Sequence, residues 1–174
     1  MSQILTQIAH KMITRAERRL GVALDYVHQI ADTDIGLLTR YNRLFGFLDP
    51  VKHVPKEAYH VARLRGALAA DCGTCVEAEV NLARKAKLSD ALIRDTLHGV
   101  SLPAPLCHIA TLADAVTRDR VDAPDARAAI LDTYGEKGLI ELSFAMNGAA
   151  LLPGIKRAMG HATACDLSLM KRLG

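Results

Sequence analysis

The 174-residue sequence has no tryptophan and few other aromatic residues, with three phenylalanines and four tyrosines. Such a chain offers little surface on which nucleic-acid bases can stack. Its formal net charge of +3 arises from scattered residues rather than from a basic block. The densest cluster, Arg15, Arg18 and Arg19, is typical of a solvated helix face. We therefore expect no nucleic-acid partner.

Long apolar runs are also missing from the sequence. No segment approaches the roughly 20 apolar residues that are needed to span a bilayer. The first twenty residues mix apolar and charged side chains, which is not the pattern of a signal peptide. We therefore expect no membrane partner and a cytoplasmic location. There is no glycine pattern for binding dinucleotides or phosphates either, so we expect no organic cofactor.

The spacing of the apolar residues is helical along the whole chain. Apolar residues recur at intervals of three and four, and period-two alternation is nearly absent. Leu5, Ile8 and Met12 begin the first such stripe. The spacing predicts an all-α protein of seven to nine helices. The length suits one domain, covering residues 1–174.

Capping residues predict several helix boundaries. Asp34 and Ser89 are expected to cap the N-termini of helices, and Gly99 is expected to end one. Asp71 is expected to cap a helix over residues 72–86.

The C-terminal part of the chain has its own boundary signals. Pro124 opens a predicted helix that Tyr134 and Gly135 close. Residues 138–152 are apolar nearly all round, so we expect them to be buried, either in the core or against another subunit. Pro153 and Gly154 are expected to break this segment.

The most informative motif is a pair of cysteines, Cys72 and Cys75, at the start of a predicted helix. Their spacing places both thiols on one side of the helix, close enough to form a disulfide. A helix N-terminus favours the thiolate, which is the nucleophile, and the second thiol can then resolve the oxidised sulfur. The carboxylate of Asp71 has the opposite effect, because it disfavours a second negative charge on the adjacent Cys72. Glu79, one turn beyond Cys75, can accept the proton of that thiol.

Two other interpretations of the cysteine pair remain open, namely half of a zinc site or two buried small residues. Cys107 and His108 are the nearest candidates to complete a metal site. Adjacent residues on a helix point their side chains apart, however, so we expect no metal. Cys107 and Cys165 are each expected to be packing residues.

Residues 59–99 resemble the alkylhydroperoxidase D-like and carboxymuconolactone decarboxylase-like family. The resemblance rests on Tyr-His-Val-Ala-Arg-Leu-Arg (59–65), Asp-Cys-Gly-Thr-Cys (71–75) and Asn-Leu-Ala-Arg-Lys-Ala (81–86), within a family-like core of about residues 55–100. In that family, a histidine follows the second cysteine by four residues, and a glutamate precedes the first by about a dozen. These groups relay protons to the second cysteine, which attacks a hydroperoxide. The resemblance also implies a helical homo-oligomer, either a trimer, a multiple of trimers, or a dimer.

The chain departs from the family pattern at both relay positions. Glu79 occupies the histidine position and His60 occupies the glutamate position, so the acid and the imidazole exchange places. We therefore predict a catalytic set of Cys75, Cys72, Glu79 and His60, with the order of the relay reversed. Tyr59 or Arg63, which neighbour His60, can face the pocket in its stead.

The attacking cysteine is not fixed by the sequence. The helix dipole favours Cys72, which is nearest to the helix start. The proximity of Glu79 and the family resemblance favour Cys75, which we take as the nucleophile, with Cys72 as the resolving thiol.

Three functions are compatible with these features. The leading prediction is a thiol-dependent peroxidase or disulfide reductase that uses a hydroperoxide substrate and a thiol or dithiol electron donor. The second is a lactone decarboxylase of the same broad family, in which Arg63 or Arg65 would hold a substrate carboxylate. The third is a non-catalytic helical oligomer with idle thiols.

Overall fold

The computed structural model describes residues 2–48, 52–100 and 102–162, and this part of the chain is mostly helical. Within it, eight α-helices follow one another with no strand, and a π-helical turn, Ala115–Asp119, extends the seventh. The predicted all-α class with seven to nine helices is confirmed. The helices are α1 (Ser2–Leu20), α2 (Asp25–Thr33), α3 (Ile35–Leu48), α4 (Lys56–Ala69), α5 (Gly73–Lys85), α6 (Asp90–His98), α7 (Leu106–Asp114) and α8 (Pro124–Ala158).

Helix α4 is enclosed by its neighbours, and every residue from 58 to 67 is buried. It packs mainly against α8 and α7, and also against α5 and α6. Its apolar side chains, such as Val61 and Leu64, contribute to two core clusters. Because the helix is buried all round, its polar residues His60, Arg63 and Arg65 must be accommodated inside the protein, which is costly without partners.

Three of the predicted helix boundaries are confirmed. The Asp34 carboxylate accepts a hydrogen bond from the Leu37 N–H at 2.7 Å, and the Ser89 hydroxyl accepts one from the Leu92 N–H at 3.2 Å. Gly99 ends α6 in the left-handed conformation, with φ 67°.

The predicted cap at Asp71 is wrong. Asp71 itself adopts a left-handed conformation, with φ 47°. Cys72 occupies the N-cap position of α5, without a side-chain capping bond. The chain makes a sharp turn between α4 and α5, and Asp71 forms that turn directly before the N-cap residue.

Helix α8 begins with Pro124 in its first turn, as predicted. The expected helix end at Tyr134 and Gly135 is confirmed as a kink at which two helical segments meet, because Gly135 has φ 66° and ψ −179°, outside the helical range. The predicted break at Pro153 and Gly154 is wrong, since α8 continues to Ala158. The last turns bury Pro153 and Lys156, and this packing outweighs the low helix propensity of proline.

The apolar half of α8 is only partly buried in the chain. Leu142 and Met146 lie in the core, whereas Ile140 is 52% exposed and Leu151 is 44% exposed. The expected burial of residues 138–152 therefore holds for one face of the helix. By length and composition alone, α8 is the one helix in the described part of the chain that is apolar enough to cross a membrane. A long core helix has the same properties, so this is weak evidence of a membrane span.

Candidate active site

The turn between α4 and α5 brings the two thiols together. Cys72 lies at the N-cap of α5, and the N–H of Cys75 donates to the Cys72 carbonyl at 2.9 Å. The Cys72 thiol donates to the Cys75 sulfur at 2.8 Å, and neither cysteine forms a disulfide. The two sulfurs thus lie together in the first turn of a helix, as the spacing predicted.

The two cysteines differ in accessibility. Cys72 is fully buried, whereas Cys75 is partly exposed. The hydrogen bond from Cys72 and burial raise the pKa of the Cys75 thiol, Glu79 raises it further, and Lys156 lowers it. Cys75 is therefore the sulfur that solvent reaches.

Glu79 is held in a buried ion pair with Arg63. The Arg63 Nε and Nη2 atoms donate to the two oxygens of the Glu79 carboxylate at 2.7 and 2.6 Å. Both residues are only 6% exposed. Burial lowers the pKa of Arg63, but the adjacent Glu79 carboxylate more than offsets this and raises it overall. Both oxygens of the proposed relay carboxylate are thus engaged by one guanidinium.

His60 and Tyr59 extend this buried cluster on α4. Arg63 Nη1 donates to the Tyr59 hydroxyl at 3.2 Å, and the Tyr59 ring meets the His60 ring edge to face at 5.3 Å. His60 is 7% exposed, and its Nδ1 is buried without a hydrogen-bond partner. Burial lowers the pKa of His60, while the Glu79 carboxylate raises it. The side chains of Tyr59, His60 and Arg63 are therefore all buried in the protein, and Arg63 is the one that contacts Glu79.

A second cluster of buried polar groups was not anticipated from the sequence. Lys156 on α8 is buried, and its Nζ lies 5.9 Å from the centre of the Tyr26 ring. The Tyr26 and Tyr41 hydroxyls are 2.5 Å apart. Burial raises the pKa of both tyrosines, and the charge of Cys75 raises it further. Lys156 was missed because it follows Pro153, where the helix was expected to end.

Arg157 ties the end of α8 to the turn before the cysteines. Its Nη2 donates to the carbonyl oxygens of Ala70 and Asp71 at 3.0 and 2.6 Å. The turn that leads into Cys72 is thereby fixed to the same helix that carries Lys156.

A groove of about 560 Å³ opens beside the tyrosine pair, between α2, α3 and α8. Tyr41 is part of its wall. Most of the lining is apolar, and it includes Ile30, Leu37, Leu44, Ile155 and Met159. Neither Cys72 nor Cys75 is part of this lining.

Cys107 lies apart from this arrangement. It lines a separate cavity of about 210 Å³, whose wall includes the partly buried ion pair of Arg65 and Asp114. Cys165 lies outside the described residues. Across residues 2–48, 52–100 and 102–162, no group of three or more histidine, cysteine or acidic residues is arranged to hold a metal ion.

Comparison of the chain with protein-family models, with curated proteins and with solved structures gives no match. The function must therefore be argued from the site itself.

Proposed function

We propose that the protein is a thiol-dependent peroxidase or disulfide reductase in which Cys75 and Cys72 alternate between dithiol and disulfide. The observation that carries this proposal is the pair of reduced thiols whose sulfurs lie 2.8 Å apart, one partly exposed and one buried. This is the arrangement that a nucleophile and its resolving partner need.

The proposed reaction has three steps. The Cys75 thiolate attacks the terminal oxygen of a hydroperoxide, the O–O bond breaks, and an alcohol leaves after taking up a proton. The resulting Cys75 sulfenic acid reacts with the Cys72 thiol to form a disulfide and water. An external thiol or dithiol then reduces the disulfide. We place this cycle in the cytoplasm, where such donors are abundant.

The relay residues of this proposal are Glu79 and His60. Glu79 lies one turn beyond Cys75, and it acts electrostatically on both Cys75 and His60. His60 offers an unpartnered Nδ1 for a proton. Hydroperoxide turnover by His60→Ala and Glu79→Gln tests the relay. We expect both variants to be slower than the wild type, and unchanged rates in both would refute the relay.

The roles of the two sulfurs are tested by single substitutions. Cys75→Ser should abolish turnover, because it removes the accessible nucleophile. Cys72→Ser should trap a sulfenic acid on Cys75 after peroxide treatment, since the resolving thiol is gone. Cys107→Ser, remote from the pair, is the matched control and should retain wild-type turnover. A sulfenic acid found only on Cys72 in the Cys75→Ser protein would reverse the assignment.

The lactone decarboxylase alternative is less compatible with the site. It requires Arg63 or Arg65 to hold a substrate carboxylate, and both guanidinium groups are already engaged, by Glu79 and Asp114 respectively. An inactive protein whose thiols stay reduced under peroxide would instead favour the non-catalytic oligomer.

We also propose that the protein is a homo-oligomer. The support is the exposed apolar face of α8, which includes Ile140 and Leu151. A second copy of the chain would bury this face.

A further inference from the structure

Helix α1 has one face that no other element in the described part of the chain covers. Its opposite face packs against α2 and α5, and Ala9 and Ile13 on that side belong to a core cluster. The outward face carries four apolar side chains that are each at least 49% exposed, namely Ile4, Leu5, Ile8 and Met12. Exposed apolar patches of this kind mark sites that bind a partner or a membrane.

The same face of α1 becomes basic in the second half of the helix. Four exposed basic side chains lie there, namely Lys11, Arg15, Arg18 and Arg19. They follow Ile4 and Ile8 at intervals of three and four residues, so the apolar and basic side chains share one side of the helix. In the described part of the chain, no carboxylate forms an ion pair with any of the four. Lys85 of α5 donates to the Arg19 carbonyl and adds a further cation at this end of α1.

The one acidic residue of α1, Glu17, is turned away from the outward face. Its carboxylate accepts a hydrogen bond from the Leu24 N–H at 2.8 Å and lies 3.4 Å from the Nε2 of His28 on α2. The His10 ring is also held on this inner side, where its Nε2 lies 2.6 Å from the Asp32 carboxylate. These contacts fix the rotation of α1 about its axis. The charges that α1 presents outward are therefore all positive.

The pattern of charge on α1 decides between possible partners. A second copy of this face is a poor partner, because the cations of the two copies would be brought together. The surface of an anionic bilayer fits both halves of the face. Its acyl region receives the apolar side chains, and its headgroups attract the lysine and arginine side chains.

We propose that the outward face of α1 binds the surface of a membrane that contains anionic phospholipids. The apolar side chains of the first turns enter the acyl region, while the cations of the later turns lie at the level of the headgroups. Binding of this kind needs no spanning segment. It therefore replaces the expectation of no membrane partner, which rested on the lack of such a segment. The proposal is independent of the thiol chemistry.

The test is sedimentation of the protein with vesicles of phosphatidylcholine alone, or of a three-to-one mixture of phosphatidylcholine and phosphatidylserine. We expect the wild type to sediment with the mixed vesicles only, and to bind them more weakly in about 1 M than in about 0.1 M salt, because salt screens the cations. The combined variant Arg15→Gln, Arg18→Gln and Arg19→Gln should bind about a hundredfold more weakly, since each cation near an anionic surface contributes about fivefold. Ile4→Ser with Ile8→Ser should weaken binding by about tenfold or more.

The matched control removes three exposed cations from other parts of the chain, with Arg43→Gln, Arg120→Gln and Lys137→Gln combined. It should bind like the wild type, and circular dichroism should show that every variant is folded. Failure of the wild type to sediment with mixed vesicles would overturn the inference. Unchanged binding by either α1 variant, or equal weakening by the control, would do the same. If the wild type binds polyglutamate beads but no vesicles, the face binds an acidic protein and the inference fails.

Discussion

At the residue scale, the site depends on polar side chains that are buried with specific partners. Glu79 could be identified from the sequence because its spacing from Cys75 places it one helical turn away. The pairing of Glu79 with Arg63 could not be identified from the sequence. Tyr59, His60 and Arg63 were all candidates on α4, and the angle at which α4 and α5 cross decides which of them reaches Glu79. Lys156 could not be found either, since local proline and glycine signals predicted the end of the helix before it.

The ion pair of Glu79 with Arg63 should be important for stability. Glu79→Gln leaves a buried guanidinium without its carboxylate, and we expect a loss of about 3 kcal/mol in the free energy of unfolding. Urea denaturation measures this loss. Glu77→Gln, two residues earlier and partly exposed, is the control, with an expected change within about 0.5 kcal/mol. Equal effects of the two substitutions would show that the pair does not stabilise the fold.

His60 should make stability depend on pH. Burial lowers its pKa below the ordinary value of 6.5, so between these two values the unfolded chain binds more protons than the folded one. The contribution of His60 to the free energy of unfolding is complete above pH 6.5. It decreases as the pH falls from 6.5 towards the pKa of His60 in the folded protein, by at most about 1.4 kcal/mol per pH unit.

Urea unfolding of His60→Gln at pH 7.5 and pH 5.5 tests this dependence. The variant should lose less stability between the two pH values than the wild type does. His98→Gln, which removes an exposed histidine, should lose as much as the wild type. If His60→Gln and the wild type lose the same amount, His60 does not titrate as described.

At the element scale, the packing of α4 against α8 sets the geometry of the site. Local signals predicted helix boundaries well where a single side chain decides them, as at Ser89 and Gly99. They failed at Asp71 and at Pro153, where contacts between helices determine the backbone. Contacts between helices determine both the turn before Cys72 and the extension of α8 to Lys156.

Helices α4 and α8 approach each other closely at Gly66. A Cβ atom there would lie within van der Waals radii of the Met146 carbonyl oxygen, on the backbone of the facing helix. Gly66→Ala should therefore force the helices apart and lower the free energy of unfolding by about 1–3 kcal/mol. Thermal unfolding measures the effect.

The matched control is Gly154→Ala in α8, where a Cβ would meet no atom within 4 Å. Alanine has the higher helix propensity, so this variant should gain about 0.5–1 kcal/mol. Two variants that change stability in the same direction would contradict the close contact at Gly66.

At the scale of the whole molecule, the sequence was sufficient to predict an all-α fold of seven to nine helices. The reason is that helical periodicity and caps repeat along the entire chain, so single errors at boundaries do not change the class. The partial exposure of residues 138–152 could not be predicted, because it depends on how many neighbours cover α8. The homo-oligomer stays a prediction.

The oligomeric state can be measured by size-exclusion chromatography with light scattering. We expect the wild type to be a homo-oligomer and the double variant Ile140→Lys with Leu151→Lys to dissociate, because lysine cannot be buried at an apolar interface. Circular dichroism should show unchanged helicity.

The comparison pair is Ile8→Lys with Met12→Lys, on the exposed apolar residues of α1. This pair should leave the oligomer intact. A monomeric wild type, or dissociation by the α1 pair alone, would contradict an interface on α8.

The proposed function requires that Cys72 and Cys75 form a working redox pair. Its most direct test treats the reduced wild-type protein with one equivalent of a mild hydroperoxide, followed by non-reducing mass spectrometry of the tryptic peptide of residues 66–84, in which these are the only cysteines. We expect this peptide to lose two hydrogens rapidly and to regain them on treatment with a dithiol. A peptide that keeps both hydrogens, with its thiols still free to alkylate, would contradict it.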